Sequence, residues 1–330
     1  MVEKEPFLTM DNVEPGMYGV NFPSKINWKI NYGEQWAIIG ANGAGKTLLA
    51  DVLLGHTGFH GNKVHYDFFD KKDEQFKQEH FATECISKVS FESAYSLADY
   101  KSMYYQQRFS ATENEVTPTV EEILKKAVAS PEELKEWDEK LNLSPLYPKR
   151  IIMLSSGELR RFLIASILIK KPDLLIFDNP FIGLDKQTCK QLNAFFTELA
   201  KFQQMIFIVP ALNEIPDVVT NIMPAKNMVF GPTMTKAEFN ADKELQKTLF
   251  EERCYGNGDL PISKLPAPTY NVVVKMIDIN ISYPTRTLFK DLNWTIMKGE
   301  KWALSGPNGS GKSTLLSLLA ADNPKAYAQN

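Results

Sequence analysis

GANGAGKT (residues 40–47) and GPNGSGKS (residues 306–313) both fit the pattern G-x-x-x-x-G-K-[ST]. At ordinary residue frequencies about one chain of this length in a hundred carries such a pattern by accident, and two copies in matching surroundings are no accident. The pattern answers a chemical need. Glycines let successive backbone N–H groups curl round a polyphosphate, the lysine neutralises the β and γ oxygens, and the closing hydroxyl can ligate Mg²⁺. The first loop offers Gly40, Ala41, Asn42, Gly43, Ala44, Gly45, Lys46 and Thr47. The second offers Gly306, Pro307, Asn308, Gly309, Ser310, Gly311, Lys312 and Ser313.

Outward from the loops the likeness continues. Residues 26–46, INWKINYGEQWAIIGANGAGK, match residues 292–312, LNWTIMKGEKWALSGPNGSGK, at a constant offset of 266 with 12 of 21 positions identical. A period that long is a duplicated domain and not a solenoid repeat. Each copy reads as a short strand, a Gly-Glu turn, an apolar strand, the phosphate loop and a helix. The run Trp36–Ile39 suits a strand of a parallel sheet covered on both faces. Trp28 and Trp36, repeated as Trp294 and Trp302, read as core aromatics filling the same pocket in both copies. The second loop ends 17 residues before Asn330, so the chain is expected to stop partway through its second nucleotide-binding domain. The expected division is a first domain over 1–250, a linker over 251–269 rich in Gly, Pro and charge, and an incomplete second domain over 270–330.

Between the loops, residues 56–70 read as hairpin and loop, and 71–95 as charged and irregular. Thr117 before Pro118 is expected to cap a helix running to about Val128, and Ser130 before Pro131 to cap another, with Glu132 and Glu133 in its first turn. An amphipathic helix over 153–171, a buried strand over 172–178, a helix over 187–202 and strands over 205–209 and near 227–230 follow. This alternation predicts a doubly wound α/β fold.

Composition narrows the function. Apolar content of 44% and charged content of 23% are ordinary for a globular protein, and a net charge of -3 gives no electrostatic reason to expect nucleic acid or an anionic membrane as the main partner. No apolar stretch approaches the 18 residues a spanning helix needs, and residues 1–5 are charged, without a signal-peptide core. Cys85, Cys189 and Cys254 have no metal-ligand spacing and suit a reducing cytosol. His56, His60, His65 and His80 crowd one region but fit no common zinc pattern.

Two more motifs complete the reading. Leu154, Ser155, Ser156, Gly157 and Glu158 form an LSSGE run whose Gly157 precedes Asp178 by 21 residues, and Asp178 closes the apolar run 174–177. Taken alone, Ser155 with Glu158 is also an S-x-x-E capping box, and an apolar strand ending in Asp is common. In this order, with Gly183-Leu184-Asp185 after them, the motifs resemble those of the ABC ATPases: phosphate loop, helical subdomain, signature, Walker B strand, D-loop. The resemblance covers a complete nucleotide-binding domain over about 8–240 and the start of a second over 270–330. It implies a parallel core sheet with helices on both faces, an antiparallel β-subdomain and a helical subdomain. Within the family, LS-x-GE, PFIGLD, NEIP and STLLSL are similar to the tandem members linked to molybdenum transport, which lack membrane spans.

The resemblance further implies ATP and Mg²⁺ as ligands, with Thr47, Ser313 and, through water, Asp178 holding the metal. Ser155, Ser156 and Gly157 should face ATP held by the second loop, because a helix N-terminus favours the γ-phosphate. Tyr283 matches the aromatic that stacks on adenine; the first copy has Met17 there, beside Tyr18. It implies an ATP-hydrolysing subunit in the cytoplasm, at the inner face of a membrane when joined to a permease, pairing with a second nucleotide-binding domain or another copy across ATP. An ABC ATPase acting on ribosomes or DNA, and a regulatory module that binds ATP with little hydrolysis, remain alternatives.

Three positions depart from the family pattern. The base after the Walker B aspartate is usually Glu and here is Asn179; the switch histidine position falls on Pro210; and the Q-loop glutamine has only Glu92. An amide binds water but cannot take its proton at neutral pH. The first site is therefore expected to hold ATP and to turn it over slowly.

Overall fold

The computed structural model describes residues 5–16, 22–91, 118–250, 269–283, 286–306 and 310–320. They fall in two compact units, one within 1–252 and one within 253–330.

The first unit is built on two sheets. An antiparallel sheet joins β1 (Pro6–Pro15), β2 (Ile26–Asn31), β4 (Phe59–His60) and β5 (Lys63–His65). The core sheet runs in the order β10 (Val229–Phe230), β9 (Asn221–Lys226), β3 (Trp36–Ile39), β8 (Gln204–Val209), β7 (Leu174–Asp178), β6 (Ile86–Ser90), with β11 (Met234–Thr235) also on β9. The five strands β9, β3, β8, β7 and β6 are parallel, while β10 and β11 run antiparallel to β9. Strands β3, β7 and β8 are buried along their whole length, which their unbroken apolar runs require.

Alternation within those strands sorts two cores. Ala37, Ile39, Leu175, Phe177, Phe207 and Val209 face one side, where α4 (Val120–Ala127), α5 (Pro131–Leu141), α6 (Ser156–Leu168) and α7 (Lys186–Leu199) contribute Leu124, Leu134, Phe162 and Phe196. Trp36, Ile38, Ile176, Ile206 and Ile208 face the other side, toward α1 (Lys46–Leu53) and the antiparallel sheet. There Trp28 meets Trp36 edge-on with ring centres 5.4 Å apart. Short helices α2 (Asp67–Asp70) and α3 (Glu74–Glu79) precede β6, and α8 (Lys236–Ala241) and α9 (Lys243–Leu249) close the unit.

The expected helix after Pro118 begins later than Thr117, which lies outside the described residues. Its cap is Thr119, whose Oγ accepts from the Glu122 N–H at 3.2 Å while the Glu122 carboxylate accepts from the Thr119 N–H at 2.8 Å. Residues 71–91 are not irregular as expected, since α3 and β6 lie there; Lys88 and two serines dilute the apolar signal of β6, and pairing with β7 forms the strand. Strand β9 was not foreseen because Pro224 interrupts it. Pro224 stands where β10 has run out, and its carbonyl accepts from the Gly231 N–H at 2.8 Å.

The second unit repeats the first in detail. Strands β12 (Val272–Tyr283) and β13 (Arg286–Met297) pair antiparallel, and α10 (Lys312–Leu319) follows the loop. Trp294 meets Trp302 edge-on at 5.5 Å. Glu300 accepts from the Met297 N–H and the Trp302 indole at 2.8 and 3.0 Å, as Glu34 does from Asn31 and Trp36 at 3.0 and 3.2 Å. The bulge in β1 at Asn12 (φ 47) has its counterpart in β12 at Asp278 (φ 50), each N–H donating to an asparagine on the paired strand. One element differs. Residues 302–305, the counterpart of Trp36–Ile39, were expected to form a strand and do not, because no neighbouring strand in the described part of this unit takes up their backbone groups; Trp302, whose counterpart Trp36 is buried in the first copy, is 58% exposed.

Candidate functional site

Parallel strands bring their C-terminal ends to one edge, where open α/β sheets place ligands. Ile39 is in register with Val209, and Asp178 with Ile208, so the loop after β3, the end of β7 and Pro210 after β8 share that edge.

The loop over 40–47 leads straight into α1. Gly45 takes φ 88 and caps α1 without a side-chain bond, leaving the helix end to its backbone N–H groups. Gly40 runs so close to β9 that an added Cβ would lie 1.9 Å from the Ala225 carbonyl oxygen. Lys46 is 6% exposed, and its Nζ donates to the carbonyls of Gly40 at 2.6 Å and Ala41 at 2.9 Å. Burial pulls its ammonium below the usual lysine range, and the Asp178 carboxylate pulls the other way.

Thr47 donates its hydroxyl to Asp178 Oδ2 at 3.2 Å. Asp178 Oδ1 and Asn179 Oδ1 are buried, and neither has a hydrogen-bond partner among the described residues. Buried acceptors without partners are costly unless something else occupies them. A lysine, a hydroxyl, an orphaned carboxylate oxygen and a glycine-lined helix end together fit a nucleotide polyphosphate with Mg²⁺. Asn179 sits at φ 50, in the left-handed region that asparagine tolerates better than most residues, and its N–H donates to the Ile208 carbonyl at 3.0 Å.

The signature run starts α6. Ser155 caps it: its Oγ accepts from the Glu158 N–H at 3.3 Å, and the Glu158 carboxylate accepts from the Ser155 N–H at 3.0 Å. The capping-box reading and the signature reading thus describe the same residues. Lys149 approaches the other Glu158 oxygen at 2.5 Å. Burial raises this carboxyl's pKa, but Lys149 and Ser155 together leave it below the usual range. A Cβ at Gly157 would meet Thr188 Cγ2 at 2.5 Å, so the glycine lets α6 and the first turn of α7 approach. Ser156 is the first residue of α6, Leu154 is buried just ahead of it, and Asp185 caps α7 by accepting from the Thr188 N–H at 2.9 Å.

In the second unit, Lys312 Nζ donates to the Gly306 carbonyl at 2.7 Å and Gly311 takes φ 94, matching Lys46 and Gly45. Ser313 is in the first turn of α10, and Ser310 Oγ is close to Gly306. Pro307, Asn308 and Gly309 lie outside the described residues, as do Met17, Tyr18 and Glu92; Tyr283 ends β12, with its side chain outside the description.

Two residues at this edge escaped the sequence reading. Arg160 on α6 is buried, stacks over the Phe91 ring with 4.7 Å to its centre, and donates to the carbonyls of Pro180 and Ile182. It ties the signature helix to the turn that follows Asp178. Lys88 on β6 lies 3.2 Å from Asp51 and 3.5 Å from Asp178. The one signal for it was a charge inside a strand-length run.

The sequence pattern of the ABC transporter family matches residues 23–182 and 289–327. The chain belongs to that family, whose nucleotide-binding domains bind ATP. Among its relatives, it is 29% identical over 316 residues to an ABC transporter ATP-binding protein of Schizosaccharomyces pombe, covering 92% of this chain and 61% of the other. It is 28% identical over 310 residues to the ABC transporter ATP-binding protein ModF of Escherichia coli, covering 91% and 60%. The chain thus spans about three fifths of the length of these relatives. A solved structure, cbiO1 of Clostridium perfringens, part of the ABC transporter complex cbiONQ, matches with a TM-score of 0.55 at 22% identity, over 73% of this chain and 93% of that one. That likeness establishes an ABC nucleotide-binding fold. Among the described residues no helix is long and apolar enough to cross a membrane.

Proposed function

We propose that the chain binds MgATP in the loop over 40–47 and, in a second site, in the loop over 306–313, and that ATP binding drives a transport partner in the membrane. The observation that carries this reading is the meeting of Thr47 and Asp178 at 3.2 Å, at the mouth of a loop whose lysine is held by the Gly40 and Ala41 carbonyls and whose Gly45 opens the backbone N–H end of α1. Lys46 would leave its two carbonyls for the phosphate oxygens. When bound, Mg²⁺ supplies counter-charge to the β and γ phosphates and would be held by Thr47, with Asp178 acting through water. The LS-x-GE, PFIGLD and NEIP runs favour transport of the kind served by the molybdenum-linked tandem ATPases. Tyr283 is proposed to stack on adenine in the second site.

Capture of the tagged chain from cells with MgATP tests the transport arm. Enrichment of membrane-spanning proteins is the expected result, whereas ribosomal proteins or DNA in their place would favour the non-transport alternative.

The assembly follows from counting motifs. These 330 residues hold two phosphate loops and one signature, Ser155 to Gly157. ATP on the loop over 40–47 would be sandwiched when a second nucleotide-binding domain or another copy lends its signature, and for a copy the N–H groups at the start of α6 would turn toward the γ-phosphate. Sedimentation velocity of the 330-residue chain should show a weak, MgATP-promoted dimer. A monomer unchanged at high concentration and saturating nucleotide would rule this assembly out.

A further inference from the structure

Three elements place one ammonium beside the proposed metal position. Lys88 comes from the edge strand β6, in register with Ile176, two residues before Asp178 on β7. Its Nζ lies 3.2 Å from Asp51 Oδ1 and 3.5 Å from Asp178 Oδ2. Asp51 is on α1, four residues after Thr47, so it faces the same side of the helix. Asp178 Oδ2 is the same oxygen that accepts the Thr47 hydroxyl. The Lys88 side chain is only 20% exposed, so its contacts are partly shielded from water and salt. The other oxygen of Asp178 is buried without a partner among the described residues.

This arrangement has an electrostatic consequence. A divalent cation at Thr47 and Asp178 would sit a few ångströms from a fixed positive charge. The same charge would stand near the polyphosphate and would supply part of the neutralisation that Mg²⁺ otherwise provides. Asp51 keeps Lys88 anchored when Asp178 is needed elsewhere, so the ammonium need not leave the site.

Resting on the reading of the loop over 40–47 as an ATP site, we infer that Lys88 is a built-in cation of the first site, which supports the nucleotide phosphates and lowers the site's dependence on Mg²⁺.

The test measures affinity for a fluorescent ATP analogue in EDTA and in Mg²⁺, with the full chain carrying Lys312→Ala to silence the second loop. Thermal melting in parallel confirms that each variant is folded. The parent should bind in EDTA, with Mg²⁺ improving its affinity only severalfold. Lys88→Met should weaken binding in EDTA by about tenfold and widen the gap between the two conditions by a similar factor, the size expected for one partly shielded charge near a phosphate. Lys88→Gln should behave like Lys88→Met, and Lys88→Arg like the parent. A Lys88→Met or Lys88→Gln protein with the parent's affinity ratio between the two conditions would overturn the inference while leaving the ATP site standing. No binding by the parent under either condition would overturn the site assignment and the inference together.

Discussion

Lys46→Ala, made in the Lys312→Ala background, is expected to abolish measurable nucleotide binding at the first site. Lys46 is the buried positive charge of the loop, held in place by the Gly40 and Ala41 carbonyls at 2.6 and 2.9 Å. Burial already works against its charged form, and Asp178 works to keep it charged. A polyphosphate entering the loop would replace neutral carbonyls with anionic oxygens, and the resulting hydrogen bonds are charge-assisted and strong. Truncating one member of such a buried pair costs about 2–5 kcal/mol, which is roughly thirty- to several-thousandfold in affinity. The fold should survive, because the Lys46 ammonium bonds only loop carbonyls and α1 keeps Leu49, Ala50 and Leu53 in the core. Calorimetric titration with MgATP checks the affinity and a melting curve checks the fold. A folded double variant that binds as tightly as Lys312→Ala alone would remove this loop from the ATP-binding site.

The phosphate loops could be read from the sequence because their chemistry dictates residue types at close spacing, and the duplication because identity accumulates over 21 positions. The strands β3, β7 and β8 were legible for a similar local reason: both faces are buried, so their residues are uniformly apolar. What escaped depends on partners far away in the chain. Lys88 meets Asp51 across 37 residues, and a lysine in a five-residue strand looks like a loop until β7 is beside it. Arg160 looks like an exposed charge on an amphipathic helix, yet its guanidinium is buried against carbonyls about 20 residues downstream. Strand β9 carries a proline that local rules exclude, and only the shortness of β10 makes it tolerable there. The twin bulges at Asn12 and Asp278 were invisible because they are set by the pairing register of two strands, although both positions lie 266 apart like the rest of the repeat.

Turnover at the first site should be slow, by about 10²–10⁴ relative to a site with a working general base. Hydrolysis needs a group that takes a proton from the attacking water and a donor on the γ-phosphate. Asn179 follows Asp178 directly, and its amide oxygen is buried without a partner among the described residues, so it can accept a hydrogen bond from water but not keep the proton. Pro210 stands where β8 ends beside Gly40 and has no N–H to donate. Asn179→Glu should restore part of the rate and no more. Pro210 still leaves the γ-phosphate without its donor, and the backbone at position 179, at φ 50, is one that asparagine accepts more readily than glutamate. Phosphate release in the Lys312→Ala background, with MgATP affinity measured on the same samples, separates binding from chemistry. Affinity should be intact while single-turnover hydrolysis is slow in the parent and faster in Asn179→Glu. Release at several turnovers per second from the parent, lost on Lys46→Ala, would mean that another residue takes the proton and that Asn179 is no obstacle to catalysis.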